Sequence, residues 1–469
     1  MMAQMDALPN SLRYGARQLQ VRITRNTNIL PIGQDSVTSS GSGTCRFRFP
    51  SSSLINLSSA TISFNTTISG LVTGTNFVNA LIPAAYKYVR RCQFFLGGVS
   101  VAGSLSNNYN QIYHAMIKGA ANTQFTQSKV IEGYTELTEA YDNFGFLNSA
   151  PSATTKTCYQ QLDDFLLLAK GNGGANEMFI DTSIYNDMDI QLDFDNNSIL
   201  SIYQNGTAST GSQVQWTLNN LRLNVDVISS IPQIYASVIE LRASQSSPIR
   251  LCYQNLVSQV QLIQSTTRLQ ISSGCIDGLM VCGLASNFNS VVPFSGNVAA
   301  DEVLDVTNVP KFDFISGLNQ TTANSGFSAI VQVGSANYPS TAYNSAFLLA
   351  DSTMNHFWHN SVSATSLLYL QVNLVNNASA GTGDDCQQGR YTQENYLNNQ
   401  FIWVQSFSIE DGWASSQKVL SGIDTSSQSV DTLVITSGLA DGSRNFLLVG
   451  LLTSVLVYDT ISRTVSVIQ

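Results

Sequence analysis

The heptapeptide Leu221-Arg222-Leu223-Asn224-Val225-Asp226-Val227 alternates apolar and polar residues without a break. Successive side chains of a β-strand point to opposite faces, so this alternation predicts a strand with one apolar and one polar face. A second strand-like set, 446–468, closes the chain and is more apolar. Each set ends one half of the sequence. The chain is therefore predicted to contain two copies of one β-rich plan.

Shorter segments elsewhere in both halves share the period of two and are separated by Gly, Ser, Asn and Asp turns. They are 20–24, 61–65, 189–194, 268–272 and 433–436. Apolar residues spaced three and four apart predict only two short helices, at 108–118 and 232–241. Many strands with few helices predict an all-β fold of tandem β-sandwiches. Halves of this length suit eight strands each, with the short helices in loops.

Turn-forming residues flank the middle of the chain, at 229–232 and 244–248. The predicted domains are an amino-terminal arm at 1–44, a first sandwich at 45–229, a linker with a short helix at 230–245, and a second sandwich at 246–469. The arm carries four arginines, Arg13, Arg17, Arg22 and Arg25, against only Asp6 and Asp35. Its interpretation as a solvated arm ranks above contact with neighbouring subunits, a genome or a membrane.

The composition describes a protein that solvates its surface weakly. Of 469 residues, 43% are hydrophobic and only 11% are charged, against about 25% charged in an ordinary soluble domain. Such a surface suits contact with other protein surfaces. The net charge of −9 excludes a whole-surface nucleic-acid binder, which would need clustered Lys and Arg.

Seven widely spaced cysteines predict reduced core residues. No signal peptide is visible, which predicts synthesis inside a cell.

The sharpest cluster of ionisable residues is Asp187, Asp189, Asp193 and Asp195, which differ by even numbers and so share one face of a strand. Two functions suit carboxylates of this kind, a calcium site and a glycosidase pair. The favoured alternative is a solvent-facing strand whose carboxylates meet Arg or Lys on a neighbouring strand. A strand supplies ligands in a line, whereas a calcium shell wraps them around one point.

Other residues that could carry chemistry are sparse. His356 and His359 lie three apart, but no Cys or His nearby in sequence completes a zinc site. His114 is the remaining histidine, and no nucleophile or phosphate-binding motif is present. The sequence therefore predicts no catalytic, cofactor-binding or metal-binding residues, no cofactor, no small-molecule substrate and no enzymatic activity.

Three pieces of sequence resemble the double jelly-roll major capsid proteins of adenovirus-like, polinton-like, virophage and large cytoplasmic DNA viruses. Residues 95–99 followed by 109–113 resemble that family's Gly-Gly hairpin and short helix. Residues 330–340 are similar to its strand followed by a Gly-Ser and Tyr-Pro turn. Residues 421–425, 432–436 and 446–467 resemble its closing strands. The resemblance implies two tandem eight-stranded jelly-roll β-sandwiches, with trimers forming pseudo-hexameric capsomers that tile an icosahedral virion.

The resemblance also implies partners and a location. The chain is expected to contact itself in a homotrimer, neighbouring capsomers, penton and minor capsid proteins and, through the arm, an internal membrane or the genome. It is expected to reside in the virion after assembly inside the host cell, without secretion. Two other functions stay open, a tandem β-sandwich carbohydrate-binding or adhesion protein, and a jelly-roll glycoside hydrolase using the aspartate strand.

Overall fold

A computed structural model provides the three-dimensional structure of the chain. It describes residues 23–40, 43–51, 53–72, 78–83, 85–109, 111, 155–162, 179–182, 187–204, 213–228, 248–269, 274–285, 294–295, 328–344, 402–407, 422–425, 432–437, 444–459, 462 and 464–468.

The first half contains thirteen described strands and one short helix. The strands are β1 (Ile23–Ile29), β2 (Pro31–Ile32), β3 (Val37–Thr38), β4 (Thr44–Arg48), β5 (Leu54–Ser69), β6 (Val78–Leu81), β7 (Val89–Leu96), β8 (Val99–Ala102), β9 (Thr155–Gln161), β10 (Phe179–Asp181), β11 (Met188–Phe194), β12 (Ser201–Gln204) and β13 (Gln215–Ile228). Helix α1 is Ala85–Tyr88, and a single 3-10 turn covers Asn197–Ile199.

The second half contains eleven described strands. They are β14 (Ile249–Leu262), β15 (Thr266–Leu269), β16 (Cys275–Ala285), β17 (Phe294–Ser295), β18 (Ser328–Val333), β19 (Ala336–Asn344), β20 (Ile402–Ser406), β21 (Ile423–Asp424), β22 (Thr432–Ser437), β23 (Arg444–Asp459) and β24 (Thr464–Ile468).

Each half folds as two antiparallel sheets with the same strand order. In the first half one sheet runs β1-β13-β5-β9 and the other β4-β11-β7-β8. In the second half the sheets run β14-β23-β16-β20 and β15-β22-β18-β19. The two paths of each half contain eight of its strands. Numbering these eight in chain order gives 1-8-3-6 for one sheet and 2-7-4-5 for the other, in both halves. This is the jelly-roll topology, and the predicted all-β class with two eight-stranded sandwiches is confirmed.

The first sandwich begins before residue 45, so the predicted limit of the arm is wrong for residues 23–38. Strand β1 pairs with β13 from Ile23↔Ile228 to Ile29↔Leu223. Strand β2 pairs with β4, and β3 pairs with β13. Arg22 and Arg25 indicated a solvated tail at this point of the sequence. In the structure, β1 instead forms one edge of the sheet. Residues 1–22 and the predicted linker at 230–245 lie outside the described residues.

The apolar stretch near the end of the chain forms one long strand. Residues 446–454 of β23 are all buried, so protein covers both faces of this part of the strand. Its two edges pair with β14 and β16. No described helix is long and apolar enough to span a membrane. The predicted helix at 232–241, and most of the one at 108–118, lie outside the described residues.

The resemblance-based hairpin at Gly97-Gly98 is present and has a clear physical cause. Leu96 pairs with Val99 across the two glycines, whose φ angles are +54° and +81°. A two-residue hairpin turn of type I′ needs positive φ at both central residues, and glycine reaches this region without steric cost. In the second half, Gly334-Ser335 connects β18 to β19, but Tyr338-Pro339 lies within β19 and not in a turn.

Aromatic rings fill the centre of the first sandwich. The ring of Tyr88 packs edge-on against Phe64 and Trp216, with centroid distances of 5.4 Å to each. The Tyr88 hydroxyl is 2.7 Å from Thr66 Oγ1, and the indole nitrogen of Trp216 donates to the carbonyl oxygen of Asn196 at 3.2 Å. These contacts join α1 to β5 and β13 of one sheet, and they join β13 to the residue that precedes the 3-10 turn. The buried polar tips of both rings thereby have hydrogen-bond partners.

The six described cysteines are all free thiols, as predicted; Cys386 lies outside the described residues. Burial raises the pKa of Cys45 to about 12 and that of Cys158 to about 11. It also raises the pKa values of Cys92 and Cys282. Because the thiolate is the reactive form, burial favours the protonated, less reactive state of these four core side chains.

Candidate functional site

The aspartate strand predicted from sequence is β11, at the centre of the first sandwich's second sheet. Asp189 lies opposite Arg48 on β4 and opposite Phe95 on β7. Its carboxylate accepts hydrogen bonds from Arg46 Nη2 at 2.6 Å and from Arg48 Nε at 2.9 Å. The Asp189 side chain is 1% exposed, whereas those of Arg46 and Arg48 are 42% and 51% exposed. The arginines therefore cover the carboxylate and keep their own contact with solvent.

Asp193 is held in the same way by the neighbouring strand on the other side. It lies opposite Arg91 on β7, and Arg91 Nε donates to its carboxylate at 2.6 Å. Thr44 Oγ1 donates to the other oxygen at 3.0 Å. Arg91 also donates to the carbonyl oxygen of Ser104 at 3.0 Å, so this pair connects β11 to the segment that follows β8.

The remaining two aspartates, Asp187 and Asp195, flank β11, and their surroundings differ. Asp195 is buried and accepts a hydrogen bond from Gln111 Nε2 at 2.8 Å. Gln111 also donates to the carbonyl oxygen of Lys87 at 2.6 Å, which ties the segment near residue 111 to α1. Asp187 precedes the strand with a φ angle of +48° and a side chain that is 66% exposed.

These ion pairs and hydrogen bonds hold β11 to the neighbouring strands β4 and β7. Asp189 and Asp193 are each neutralised by arginine on an adjacent strand, which confirms the predicted ion pairs. The predicted solvent-facing position is wrong for Asp189, Asp193 and Asp195, which are buried because the arginine side chains, or Gln111, lie against them. Among the described residues, no three His, Cys, Asp or Glu side chains come together as a metal site would require. His114, His356 and His359 lie outside the described residues.

We expect Asp189→Asn to lower the free energy of unfolding by about 1–3 kcal/mol, because a buried acceptor of two charge-assisted hydrogen bonds loses its charge. The partly exposed arginines stay hydrated, which keeps the loss below that for a fully buried pair. Asp187→Asn is the matched control, since its 3.7 Å pair with Arg48 is exposed; its effect should stay below about 0.5 kcal/mol. Denaturant unfolding measures both variants, and equal effects would contradict this account of the pair.

A further buried carboxylate, Asp277, lies in the second sandwich at a bulge of β16. Asp277 accepts hydrogen bonds from Thr453 Oγ1 at 2.7 Å and from Gln254 Nε2 at 3.5 Å. Burial raises the pKa of Asp277, although these donors and the Cys275 thiol oppose the shift. An acid whose folded pKa is raised stabilises the fold below its unfolded pKa, near 3.8, and this contribution is lost as pH rises through the folded pKa.

Asp277→Asn should therefore become more stable relative to the unmodified chain as pH rises from 4 to 7. The reason is that asparagine does not ionise and avoids the cost of burying a charge. Thermal melting of both proteins across this range gives the comparison. Asp424→Asn, at an exposed position of β21, serves as the control and should show no such trend. A difference that shrinks with rising pH would contradict the assigned direction.

The two sandwiches meet in a polar contact that the sequence analysis did not anticipate. We call it the inter-sandwich contact; it joins residues 101–107, which end and follow β8, to Tyr253, Asn255 and Ser258 of β14. The backbone N–H of Ser258 donates to the carbonyl oxygen of Leu105 at 2.7 Å, and its hydroxyl donates to that of Asn107 at 2.7 Å. Tyr253 donates its hydroxyl to the carbonyl oxygen of Val101, and the Gly103 N–H donates to Asn255 Oδ1 at 3.4 Å.

A small sheet joins the halves at a second place. Strand β12 pairs antiparallel with β6 of the same half and parallel with β17 of the second half. Strands β6, β12 and β17 lie in the segments that connect strands of the sandwiches. This small sheet is therefore formed by the connecting segments and not by the sandwiches themselves. Residues 253–256 of β14 are mixed apolar and polar, yet all four are buried in the structure. Both faces of that part of β14 therefore contact protein.

Comparison with solved structures places this architecture in a known class. The chain is similar to the capsid of the virus PBCV-1, with a TM-score of 0.52, 10% identity, and coverage of 93% of this chain and 95% of the other. It is also similar to PBCV-1 VP54 fitted into the virophage Sputnik, with a TM-score of 0.53, 10% identity, and coverage of 95% and 97%. No family model and no curated protein sequence matches the chain.

The shared fold extends over nearly the whole of both chains and includes both sandwiches. The chain therefore has the double jelly-roll fold of viral capsid proteins. The major capsid protein of Faustovirus is a further structural neighbour, at 10% identity, with a TM-score of 0.47 over 93% of this chain and 90% of that one. The fold implied by the sequence resemblance is confirmed.

Proposed function

We propose that the chain is the major capsid protein of an icosahedral DNA virus, a structural subunit without enzymatic activity. The observation that carries this proposal is the pair of sandwiches with one strand order, joined by the inter-sandwich contact, in a chain whose fold matches PBCV-1 capsid protein along 93–95% of its length. The partners and the virion location follow from this role.

The subunit is proposed to form a homotrimer. Three chains with two similar sandwiches each place six sandwiches in a ring, so a threefold molecule gains a nearly hexagonal outline. Such a pseudo-hexameric capsomer can tile a closed shell through repeated heterologous contacts. Penton and minor capsid proteins would complete the shell. Within the proposed arm, residues 1–22 are the part left to contact an internal membrane or the genome, since residues 23–38 belong to the first sandwich.

The rival functions receive less support from the described residues. A glycoside hydrolase needs a carboxylic acid and a carboxylate facing a substrate cleft, whereas Asp189 and Asp193 are covered by Arg46, Arg48 and Arg91. A carbohydrate-binding protein usually offers an aromatic platform. Trp216 and Trp403 are fully buried, so neither can stack on a sugar.

Light scattering over a wide range of protein concentrations tests the trimer. We expect about three times the monomer mass of 50.8 kDa from high to low concentration. Moderate salt should not change this mass, because burial of apolar surface is little screened while exposed ion pairs are. A stable monomer or dimer across the range would contradict the proposed capsomer and favour the tandem-sandwich adhesin.

A further inference from the structure

The inter-sandwich contact joins two different surfaces, so the same kind of contact can be repeated between neighbouring chains. On the first sandwich it uses the end of its fifth strand, β8, and the residues that follow. On the second sandwich it uses the first strand, β14, where Leu105 forms a bridge with Val257. Two similar bodies are therefore joined through different surfaces, which is a head-to-tail contact.

The repeated strand order identifies the matching surfaces that one chain leaves unused. In chain order within its sandwich, β19 corresponds to β8, and β1 corresponds to β14. A head-to-tail ring of sandwiches would thus bring the β19 side of one chain to the β1 side of the next. In a trimer, three such contacts lie within chains and three between chains.

The β1 side carries the exposed apolar residues that a contact of this kind needs. Leu30 is 60% exposed and Ile32 is 52% exposed, immediately after β1 and within β2. Strand β1 is the last strand at its end of the described sheet. Exposed apolar side chains grouped beside a sheet edge indicate a surface that is covered in an assembly.

The adjoining outer face of this sheet is polar but almost free of charge. Its side chains form cross-strand rows set by the register of β9, β5 and β13. The rows are Thr155-Thr67-Thr217, Thr157-Asn65-Asn219, Tyr159-Ser63-Arg222 and Gln161-Thr61-Asn224, with Arg222 the one charged member. Strand β1 adds Asn28 beside Asn224. Uncharged side chains lose less hydration energy than charged ones when a partner covers them.

The β19 side is uncharged in the same way. The exposed residues of β19 are Ala336, Asn337, Ser340, Thr341 and Ala342. The chain carries a net charge of −9, so copies repel each other on average. The β1 side carries few carboxylates, Asp35 after β2 and Asp226 beyond Asn224 on β13, and the exposed residues of β19 carry none. Acidic copies can therefore approach through these two surfaces with little repulsion.

We propose that the β1 surface, defined as Asn28, Leu30, Ile32 and the four cross-strand rows, binds the β19 side of the second sandwich of a neighbouring copy of this chain. This inference rests on the proposed homotrimer and assigns its contact surface. The contact repeats, between chains, the geometry that the inter-sandwich contact shows within one chain.

The double variant Leu30→Glu/Ile32→Glu tests this assignment in the full chain. Both positions are exposed, so the monomer fold should be kept, with an unchanged melting profile of the isolated chain by near-ultraviolet circular dichroism. Two carboxylates in the covered contact should raise the concentration needed for trimer formation by at least about tenfold. Light scattering should then show monomer where the unmodified chain is trimeric. Ile468→Glu, at a comparably exposed apolar residue (57%) of β24, should leave the trimer intact.

The outcomes separate this inference from the proposed function. A monomeric unmodified chain would overturn both, whereas a trimeric double variant with unchanged dilution behaviour would overturn only the surface assignment. If the double variant does not fold, a photo-crosslinking residue at position 30 of the unmodified sequence replaces it. Mixed light and heavy chains should then give cross-links from position 30 to residues 328–344 of another copy. Links confined to other segments would overturn the assignment.

Discussion

Trp216→Ala is expected to lower the free energy of unfolding by about 3–5 kcal/mol, because a large buried ring is replaced by a cavity. Trp216 is fully buried, packs edge-on against Tyr88 and donates to the carbonyl oxygen of Asn196. Its removal therefore loosens α1, β13 and the 3-10 turn together. Denaturant unfolding followed by near-ultraviolet circular dichroism measures the loss.

A pair of phenylalanine variants separates the packing of the indole ring from its hydrogen bond. Trp403 on β20 is as buried as Trp216, but its indole nitrogen has no hydrogen-bond partner among the described residues. Trp216→Phe should lose a hydrogen bond, worth about 1 kcal/mol, in addition to ring volume. Trp403→Phe should lose volume only. A Trp216→Ala variant with unchanged stability, or a larger loss for Trp403→Phe than for Trp216→Phe, would show that this core is wrongly assigned.

Gly103→Ala is the second substitution with a large expected effect. Gly103 has a φ angle of +78°, and a Cβ atom at this position would lie 1.9 Å from the carbonyl oxygen of Cys92. The φ angle alone costs a residue other than glycine about 1–3 kcal/mol. The clash is with backbone, so β7 and the segment after β8 must also separate. That segment carries the inter-sandwich contact, and we expect the two halves to lose their common unfolding transition.

Gly98→Ala is the matched control for this substitution. Its φ angle is +81°, and nothing lies within 4 Å of the position that a Cβ atom would occupy. Its loss of stability should come from the φ angle alone, and calorimetry should still show a single unfolding transition. If both variants melt alike, the close approach at Gly103 contributes nothing, and the inter-sandwich contact does not depend on it.

Most of the fold could be predicted because its signals are local. Alternation at 221–227 follows directly from one apolar and one polar face of β13. The glycines at 97 and 98 require a two-residue turn. The start of the first sandwich was placed too late, because Arg22 and Arg25 led the strand-like segment at 20–24 to be grouped with the arm. The pairing of β1 with β13 joins residues far apart in the chain and leaves no local signal.

The buried state of the aspartate strand was harder to predict, because it depends on partners far away in sequence. Asp189 is 141 residues from Arg48 and 143 from Arg46, and only the sheet register brings them together. The even spacing of the aspartates fixed a common face but not what covers that face. The inter-sandwich contact is similar, since backbone carbonyls of residues 101–107 leave no mark on the sequence.

Negative-stain electron microscopy of the purified full-length chain tests the central claim most directly. The proposed role predicts particles with a threefold or nearly hexagonal outline, which assemble into hollow shells or hexagonal sheets as concentration rises. Elongated single particles the size of one 50.8 kDa chain, with neither shells nor sheets at any concentration, would contradict a capsid function.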